Sequence, residues 1–328
     1  MVSSGAEGIP VSRSVVVTGA TGVVGPWLLP RLCEGGFAVQ AISRRPEPES
    51  ETGTLPYGCC EGKPGRVRWL SLDLAHGWPA PPRASKAARN RSTVEFGLEP
   101  AALLIHAAPI WLLPPLLPPL CDLGLRRLVA FSSTSRFTKW DSASTRERDT
   151  ARRLAEAEEA VESICRDRRI AWTIFRPTLV YGGGRDRNVS AIARLVRYLG
   201  FVPVAGAALG ARQPVHADDL ARACLAVLDN AATFGKAYDL PGGETLTYAE
   251  MVARIARGTG RKPRLLHLPP PALRIAIGLA RLLPGFAYLS PRMADRMNED
   301  LRFDDRPARR DFGYAPHGFV FPGQPACP

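Results

Sequence analysis

Short β-branched runs alternate with longer stretches of helical spacing through the first half of the chain. Residues 14–17 form an apolar run ending at Thr18, and an apolar helical stretch follows at 27–33. Gly35 and Gly36 close it, and a second strand is expected over 37–43, which completes one βαβ unit of about 30 residues. Further strands are expected at 67–72, 101–108, 125–133 and 170–176, with a charged helix rich in alanine and glutamate at 145–166. Alternation at these lengths predicts an α/β fold with a doubly wound parallel sheet. After Tyr181 the pattern changes to a Gly182–Gly184 loop, an amphipathic helix at 189–199, a strand at 213–215 and a helix at 218–228. Strand, turn and helix follow within 238–262, and the remainder is helix and loop punctuated by proline. Residues 46–65 and 76–91 are polar, rich in Pro and Gly, and read as surface loops. The break suggests two domains, 1–180 and 181–328, the second partly interleaved with the sheet.

Composition narrows the classes. With 45% hydrophobic and 23% charged residues, the 328-residue chain is neither disordered nor fibrous. Net charge is +12, and the basic residues are nearly all arginine, the lysines being Lys63, Lys86, Lys139, Lys236 and Lys262. The arginines are scattered and no zinc-finger or RNA-platform motif occurs, so nucleic acid is not the expected partner. A phosphorylated small molecule or an anionic membrane surface suits the charge. Seven cysteines form no CxxC pair and no Cys/His cluster, which reads as reduced thiols in a cytoplasmic protein without a metal site. No secretory segment precedes the first strand. The apolar stretch 101–120 is broken by five prolines, and 272–289 contains Arg274 and Arg281, so neither reads as a membrane span. Those two arginines are seven residues apart on one helical face, which fits either a packed lid or peripheral contact with a membrane through 272–289.

Gly19, Gly22 and Gly25 stand at G-x-x-G-x-x-G spacing between the first strand and the first helix. Glycines there permit a tight turn and let a pyrophosphate approach the backbone, while the helix start offers N–H donors and a positive dipole end. The second strand ends in Ser43, Arg44 and Arg45. A carboxylate at this place accepts from the ribose 2′-OH of NAD, whereas arginines suit a 2′-phosphate, so NADP is expected ahead of NAD.

At this point the chain resembles the extended short-chain dehydrogenase/reductases, the group of NAD-dependent epimerases and dehydratases. Thr18-Gly-Ala-Thr-Gly-Val-Val-Gly25 is similar to their TGxxGxxG fingerprint, which includes Thr21, Val23 and Val24. Asp73-Leu74 is similar to the pair that meets the adenine, and Ile105-His106-Ala107-Ala108 to the fourth-strand segment lining the cofactor. Phe131-Ser132-Ser133-Thr134 resembles the fifth-strand segment, and Arg176-Pro177 through Gly182 the RPxxVYG motif. Gln213 through Ala221 is like VHVDDxA, and Gly242 through Thr247 like GGExxS. The resemblance covers most of residues 13–260 and implies a Rossmann-type domain with a smaller C-terminal substrate-binding domain. It implies cofactor contacts at Thr18, Gly19, Thr21, Gly22, Val23, Val24, Gly25, Ser43, Arg44, Arg45, Asp73, Leu74, His106, Ala107, Ala108, Ser132, Ser133, Arg176 and Pro177. It also implies Thr134 in catalysis and, with Arg212, in substrate binding.

Two departures stand out. The family's Tyr-x-x-x-Lys is missing: no tyrosine lies between Tyr57 and Tyr181, and the equivalent positions fall near Thr150 and Leu154, beside Arg152 and Arg153. A threonine cannot replace the tyrosine as general acid/base, because its hydroxyl titrates far above neutrality. The passage from Ala108 to Leu128 is also short and interrupted by proline, which puts the family's usual dimer in question. For the remaining polar residues a structural reading stands beside each functional one. His106 is either catalytic or a packed strand-end histidine; Arg136 and Lys139 either line the pocket or are solvated; Tyr181 either reaches the site or packs; Asp186 and Arg187 either touch substrate or belong to a loop. His216 and Asp219 read as residues that cap and orient the helix beginning there rather than metal ligands, with Asp218 as the preferred N-cap. The function expected is an atypical NAD(P)-dependent oxidoreductase or epimerase acting on a hydroxyl or carbonyl of a small, sugar-nucleotide-like or lipid-linked substrate. The alternative is a catalytically inactive NADP(H)-binding scaffold or redox-sensing module.

Overall fold

The structure, a computed structural model, describes residues 13–44, 65–76, 98–186, 188–262, 264–282 and 291–321. Arg45, Arg187 and residues 283–290 of the expected late helix lie outside the described residues. In chain order the elements begin with β1 (Ser14–Thr18), α1 (Gly25–Glu34), β2 (Ala38–Ser43), β3 (Arg66–Ser71) and β4 (Leu103–His106). Next come α2 (Leu117–Asp122), β5 (Arg127–Phe131), α3 (Ser135–Thr138), α4 (Thr145–Asp167), β6 (Ala171–Pro177) and β7 (Val180–Tyr181). The second half holds α5 (Val189–Leu199), β8 (Val202–Ala205), β9 (Ala211–Arg212), β10 (Val215–His216), α6 (Ala217–Val227) and β11 (Lys236–Leu240). It ends with β12 (Leu246–Thr247), α7 (Tyr248–Gly258), β13 (Leu265–Leu268), α8 (Pro270–Ala280), α9 (Arg292–Arg296) and α10 (Arg306–Phe312).

Seven of these strands form one parallel sheet in the order β11-β6-β5-β4-β1-β2-β3. Period-two alternation sorts their side chains onto two covered faces. Val15, Val17, Val129 and Phe131 join the core under α1 and α6, while Val16, Leu128 and Ala130 join the core under α4. A parallel sheet buried on both sides needs apolar residues at successive positions, which is why these strands read as continuous hydrophobic runs. The expected strands at 101–108 and 125–133 are shorter than their apolar runs, although Ser132 and Thr134 still donate to the carbonyls of Phe175 and Pro177. The proline-rich passage after β4 folds as two 3-10 turns, Ile110–Leu112 and Pro114–Leu116, followed by α2. Its prolines sit in first turns, where no amide donor is required, and Leu113, Leu116, Leu117 and Leu120 enter the core.

The N-cap of α6 is His216 and not the expected Asp218. His216 has an extended backbone, and its Nδ1 accepts from the Asp218 amide at 3.1 Å, which places Asp218 inside the first turn. The Asp218 carboxylate lies 2.7 Å from Arg31 of α1 and helps to hold the two helices together.

At the opposite, amino-terminal end of the sheet, Arg127 is buried with only neutral acceptors. Its guanidinium donates to the carbonyls of Val227 (2.7 Å), Leu228 (3.1 Å), Leu128 (2.9 Å) and Ala171 (3.2 Å), and to Thr173 Oγ1 (2.8 Å). The first two carbonyls belong to the open C-terminus of α6, where a cation also meets the negative dipole end. Burial lowers its pKa to about 10.

Candidate functional site

The chain order reverses between β1 and β4, and ligands of such sheets bind beyond the carboxyl ends at that point. Thr18 and His106 are register partners there, and the glycine loop leaves β1 directly above Ala107. Gly19 has φ +68°, and a Cβ on it would lie 2.6 Å from the Ala107 carbonyl carbon. A Cβ on Gly22 would lie 2.9 Å from the Gly19 carbonyl oxygen, and one on Gly25 only 1.8 Å from that of Ala20. Among the described residues, the amides of Val23 and Val24 find no acceptor. The loop is therefore a close-fitting backbone cradle at a helix start with donors to spare, which fits a pyrophosphate.

His106 is fully buried between Thr18 Oγ1 (2.7 Å from Nδ1) and the Pro109 carbonyl (3.2 Å from Nε2). A carbonyl only accepts, so Nε2 carries the proton and Nδ1 accepts from the Thr18 hydroxyl. Burial holds the imidazole pKa at about 4 against its ordinary 6.5. An unfolded chain binds this proton near pH 6.5 and the folded one only near 4. Stability is thus complete above about 6.5 and should fall by about 3 kcal/mol as the pH drops to about 4. His106→Gln should flatten that stretch of a urea-midpoint-versus-pH curve; an unchanged slope would place the titration elsewhere.

At the end of β5, Thr134 is buried, and its amide and hydroxyl both donate to the Pro177 carbonyl at 3.2 Å. Its hydroxyl oxygen can still accept. Ser133 Oγ accepts from the Ser135 amide at 3.1 Å, and Ser132 donates to Glu158 of α4. Glu158 is fully buried, and the guanidinium groups of Arg136 and Arg176 also close on it, Arg176 Nε at 2.9 Å. Residue numbers 158 and 176 thus couple α4 to β6. Thr150 donates to the Arg146 carbonyl of its own helix at 2.9 Å, and Leu154 is packed in the core. Arg152 pairs with Asp149, and Arg153 stacks 4.6 Å over Trp111.

Lys139 follows α3 and is half-buried. Burial lowers its pKa, Arg296 lowers it further, and Glu147 partly opposes both. Glu147 and Arg296 are themselves paired at 2.5 Å, and Ser142 donates to the same carboxylate. Neither Arg136 nor Lys139 is a solvated loop charge. Arg212 is buried, with its guanidinium donating to the carbonyls of Ala211 (2.7 Å), Glu299 (2.8 Å) and Arg296.

Ser43 is buried at the end of β2, and Arg44 beyond it is exposed. Asp73 accepts from the Ala75 amide at 3.0 Å, and Leu74 is buried. Gly182, Gly183 and Gly184 all have positive φ, and this turn carries Arg185 back to the Thr21 carbonyl at 2.6 Å. Asp186 accepts from the Ser190 amide (2.9 Å) and hydroxyl (2.6 Å), so it organises the start of α5. Arg185, Asp186, Ser190, Arg194, Arg197 and Phe321 line a cleft of about 550 Å³ beside this loop, with the Asp186 carboxylate engaged by Ser190. Glu158, Glu147 and this arginine cleft are absent from the expectations drawn from sequence.

Residues 116–240 match the model of the NAD dependent epimerase/dehydratase family. Curated relatives match in part. The mitochondrial NADH dehydrogenase [ubiquinone] 1 alpha subcomplex subunit 9 of Arabidopsis thaliana is 33% identical over 37% of this chain and 29% of its own. The 2-alkyl-3-oxoalkanoate reductase of Stenotrophomonas maltophilia is 30% identical over 46% of this chain and 48% of its own. The matches therefore span less than half of either relative. Among solved structures, UDP-glucuronic acid 4-epimerase from Bacillus cereus in complex with NAD superposes with TM-score 0.63 at 16% identity, over 94% of this chain and 95% of that one. The chain shares the fold of that epimerase, and residues 116–240 match the family model. Against that family, Thr150 and Leu154 stand where the sequence resemblance leads one to look for the proton-transfer pair.

Proposed function

We infer that the chain is an NAD(P)-linked oxidoreductase or epimerase acting at a hydroxyl or carbonyl carbon of a small anionic substrate. The observation that carries the reading is the glycine cradle from Gly19 to Gly25, closed against Ala107 at the sheet's reversal point. The NAD complex of the Bacillus cereus neighbour and the reductase named among the relatives support it. Val23 and Val24 offer amides to the diphosphate, and Ser43 with Arg44 favours a ribose 2′-phosphate, hence NADP. Arg45 is proposed for the same contact from sequence alone.

A nicotinamide bound there supplies a carbon that takes up or gives back hydride. The protein's own part is to orient the oxygen and move its proton. Thr134 Oγ1, with its hydrogen engaged by Pro177, accepts from a substrate hydroxyl beside the reacting carbon and so fixes the substrate's orientation. Lys139, whose pKa burial and Arg296 both lower, is assigned the proton of the reacting hydroxyl, which it takes on oxidation and returns on reduction. The arginine cleft and the donors of Arg212 not spent on carbonyls suit a phosphorylated substrate.

The second reading is a module that binds NADP(H) without turnover. It is favoured by Thr150 and Leu154, and by the relative named as a subunit of NADH dehydrogenase. One experiment separates them: fluorescence titration with NADPH and NADH, followed by a panel of phosphorylated ketones. Arg44→Asp should weaken NADPH about tenfold and spare NADH, and equal losses would sink the 2′-phosphate assignment. Bound NADPH should be oxidised by a member of the panel, and Lys139→Met should slow this about 100-fold at unchanged NADPH affinity. Binding without oxidation across the panel favours the module, and no binding of either nucleotide ends both readings.

A further inference from the structure

Helix α8 is apolar on two opposite sides. Leu273 and Ile277 point inward and pack with Leu265, Leu268 and Met297. Ile275 and Leu279, half a turn away, are 66% and 63% exposed, and Leu282 just beyond the helix is 81% exposed. At 100° per residue these three fall within about 60° of one another, opposite the buried pair. Leu266, on the outward side of β13, adds to the exposed apolar surface at 46%. An exposed aliphatic stripe on a helix that already buries its other side calls for a partner.

Charge indicates which partner. Between Glu250 and Asp295 the sequence has no acidic residue and eight basic ones: Arg254, Arg257, Arg261, Lys262, Arg264, Arg274, Arg281 and Arg292. Arg254 is paired with Glu244, while Arg274 and Arg292 share Asp295. The other five are exposed and have no carboxylate partner among the described residues. Among the described residues no helix is long and apolar enough to cross a membrane. Exposed aliphatic side chains on a segment that carries unpaired cations and has no acidic residue from 251 to 294 are the makings of an interfacial surface.

We propose that the α8–β13 face docks on an anionic lipid surface, with Ile275, Leu279 and Leu282 entering the acyl boundary and Arg261, Lys262, Arg264 and Arg281 meeting headgroup phosphates. This stands apart from the nucleotide site and does not depend on turnover. The test is sedimentation of the full chain with vesicles of phosphatidylcholine alone or mixed with phosphatidylserine. Partition is expected only with phosphatidylserine present and is expected to weaken steeply with added salt. Ile275→Asp with Leu279→Asp should lower it more than tenfold, as should Arg261→Gln, Lys262→Gln and Arg264→Gln together, with far-UV circular dichroism unchanged. No partition into the anionic vesicles, or partition that both variants retain, overturns the proposal. So does a wild-type dimer that Leu279→Asp converts to monomer, since the face would then be occupied by a second copy of the chain.

Discussion

A Gly25→Ala chain should unfold at a much lower urea concentration than the native protein, with a loss of about 3 kcal/mol or more. The added methyl carbon would stand 1.8 Å from the Ala20 carbonyl oxygen and 2.5 Å from its carbon. Both atoms are backbone, so no side chain can swing aside. Ala20 is in turn held to β2, its amide donating to Ile42 at 3.3 Å. Relief requires α1 to slide off β1, which opens the core around Leu28, Leu29 and Leu32. Gly278 in α8 is the contrasting case, with nothing within 4 Å of its missing Cβ. Alanine there removes a helix-interior glycine and should stabilise by about 0.5–1 kcal/mol. Equilibrium urea unfolding of the two variants checks both signs, and an unchanged midpoint for Gly25→Ala would mean that the loop is open in solution.

The second large effect is expected at Glu158. Substitution by glutamine keeps the shape and removes the charge, leaving the Arg136 and Arg176 guanidinium groups at 22% and 16% side-chain exposure with their shared counter-ion gone. Asp239, 4.0 Å from Arg176, is a poor replacement because burial already pushes its own pKa up. Removing one partner of a buried ion cluster costs about 3 kcal/mol or more. Breaking the exposed Arg152 pair with Asp149 by Asp149→Asn should cost less than about 1 kcal/mol. Because Arg136 belongs to α3, directly after Thr134, Glu158→Gln should also loosen the end of β5. Thermal unfolding of the two variants tests the contrast, and equal small losses would mean that the carboxylate is not buried as described.

The sheet was legible because its strands are buried on both faces and each glycine break falls where a turn is needed. Val15 to Val17 shows this in three residues, alternating between two cores. Glu158 was legible in principle: it shares a helical stripe with Leu154, Val161 and Cys165, where an unpaired charge does not belong. Its partners, however, come from β5, α3 and β6, and only folding brings them together. Lys139 carried no such signal, since what surrounds it are Glu147 and Arg296, the latter far along the chain. The cap of α6 was misplaced by two residues because aspartate is the commoner capping residue, while the extended backbone falls at His216.

Arg127 has a consequence for how the molecule comes together. Two of its acceptors, Val227 and Leu228, lie about a hundred positions downstream, and β11, which covers the flank of β6, arrives later still. A fragment stopped near residue 180 would keep the guanidinium at the foot of β5 while lacking those carbonyls, and would expose β6 as a raw edge. Such a fragment is expected to be less stable than the whole chain, and urea unfolding of residues 1–180 beside the full chain measures the difference.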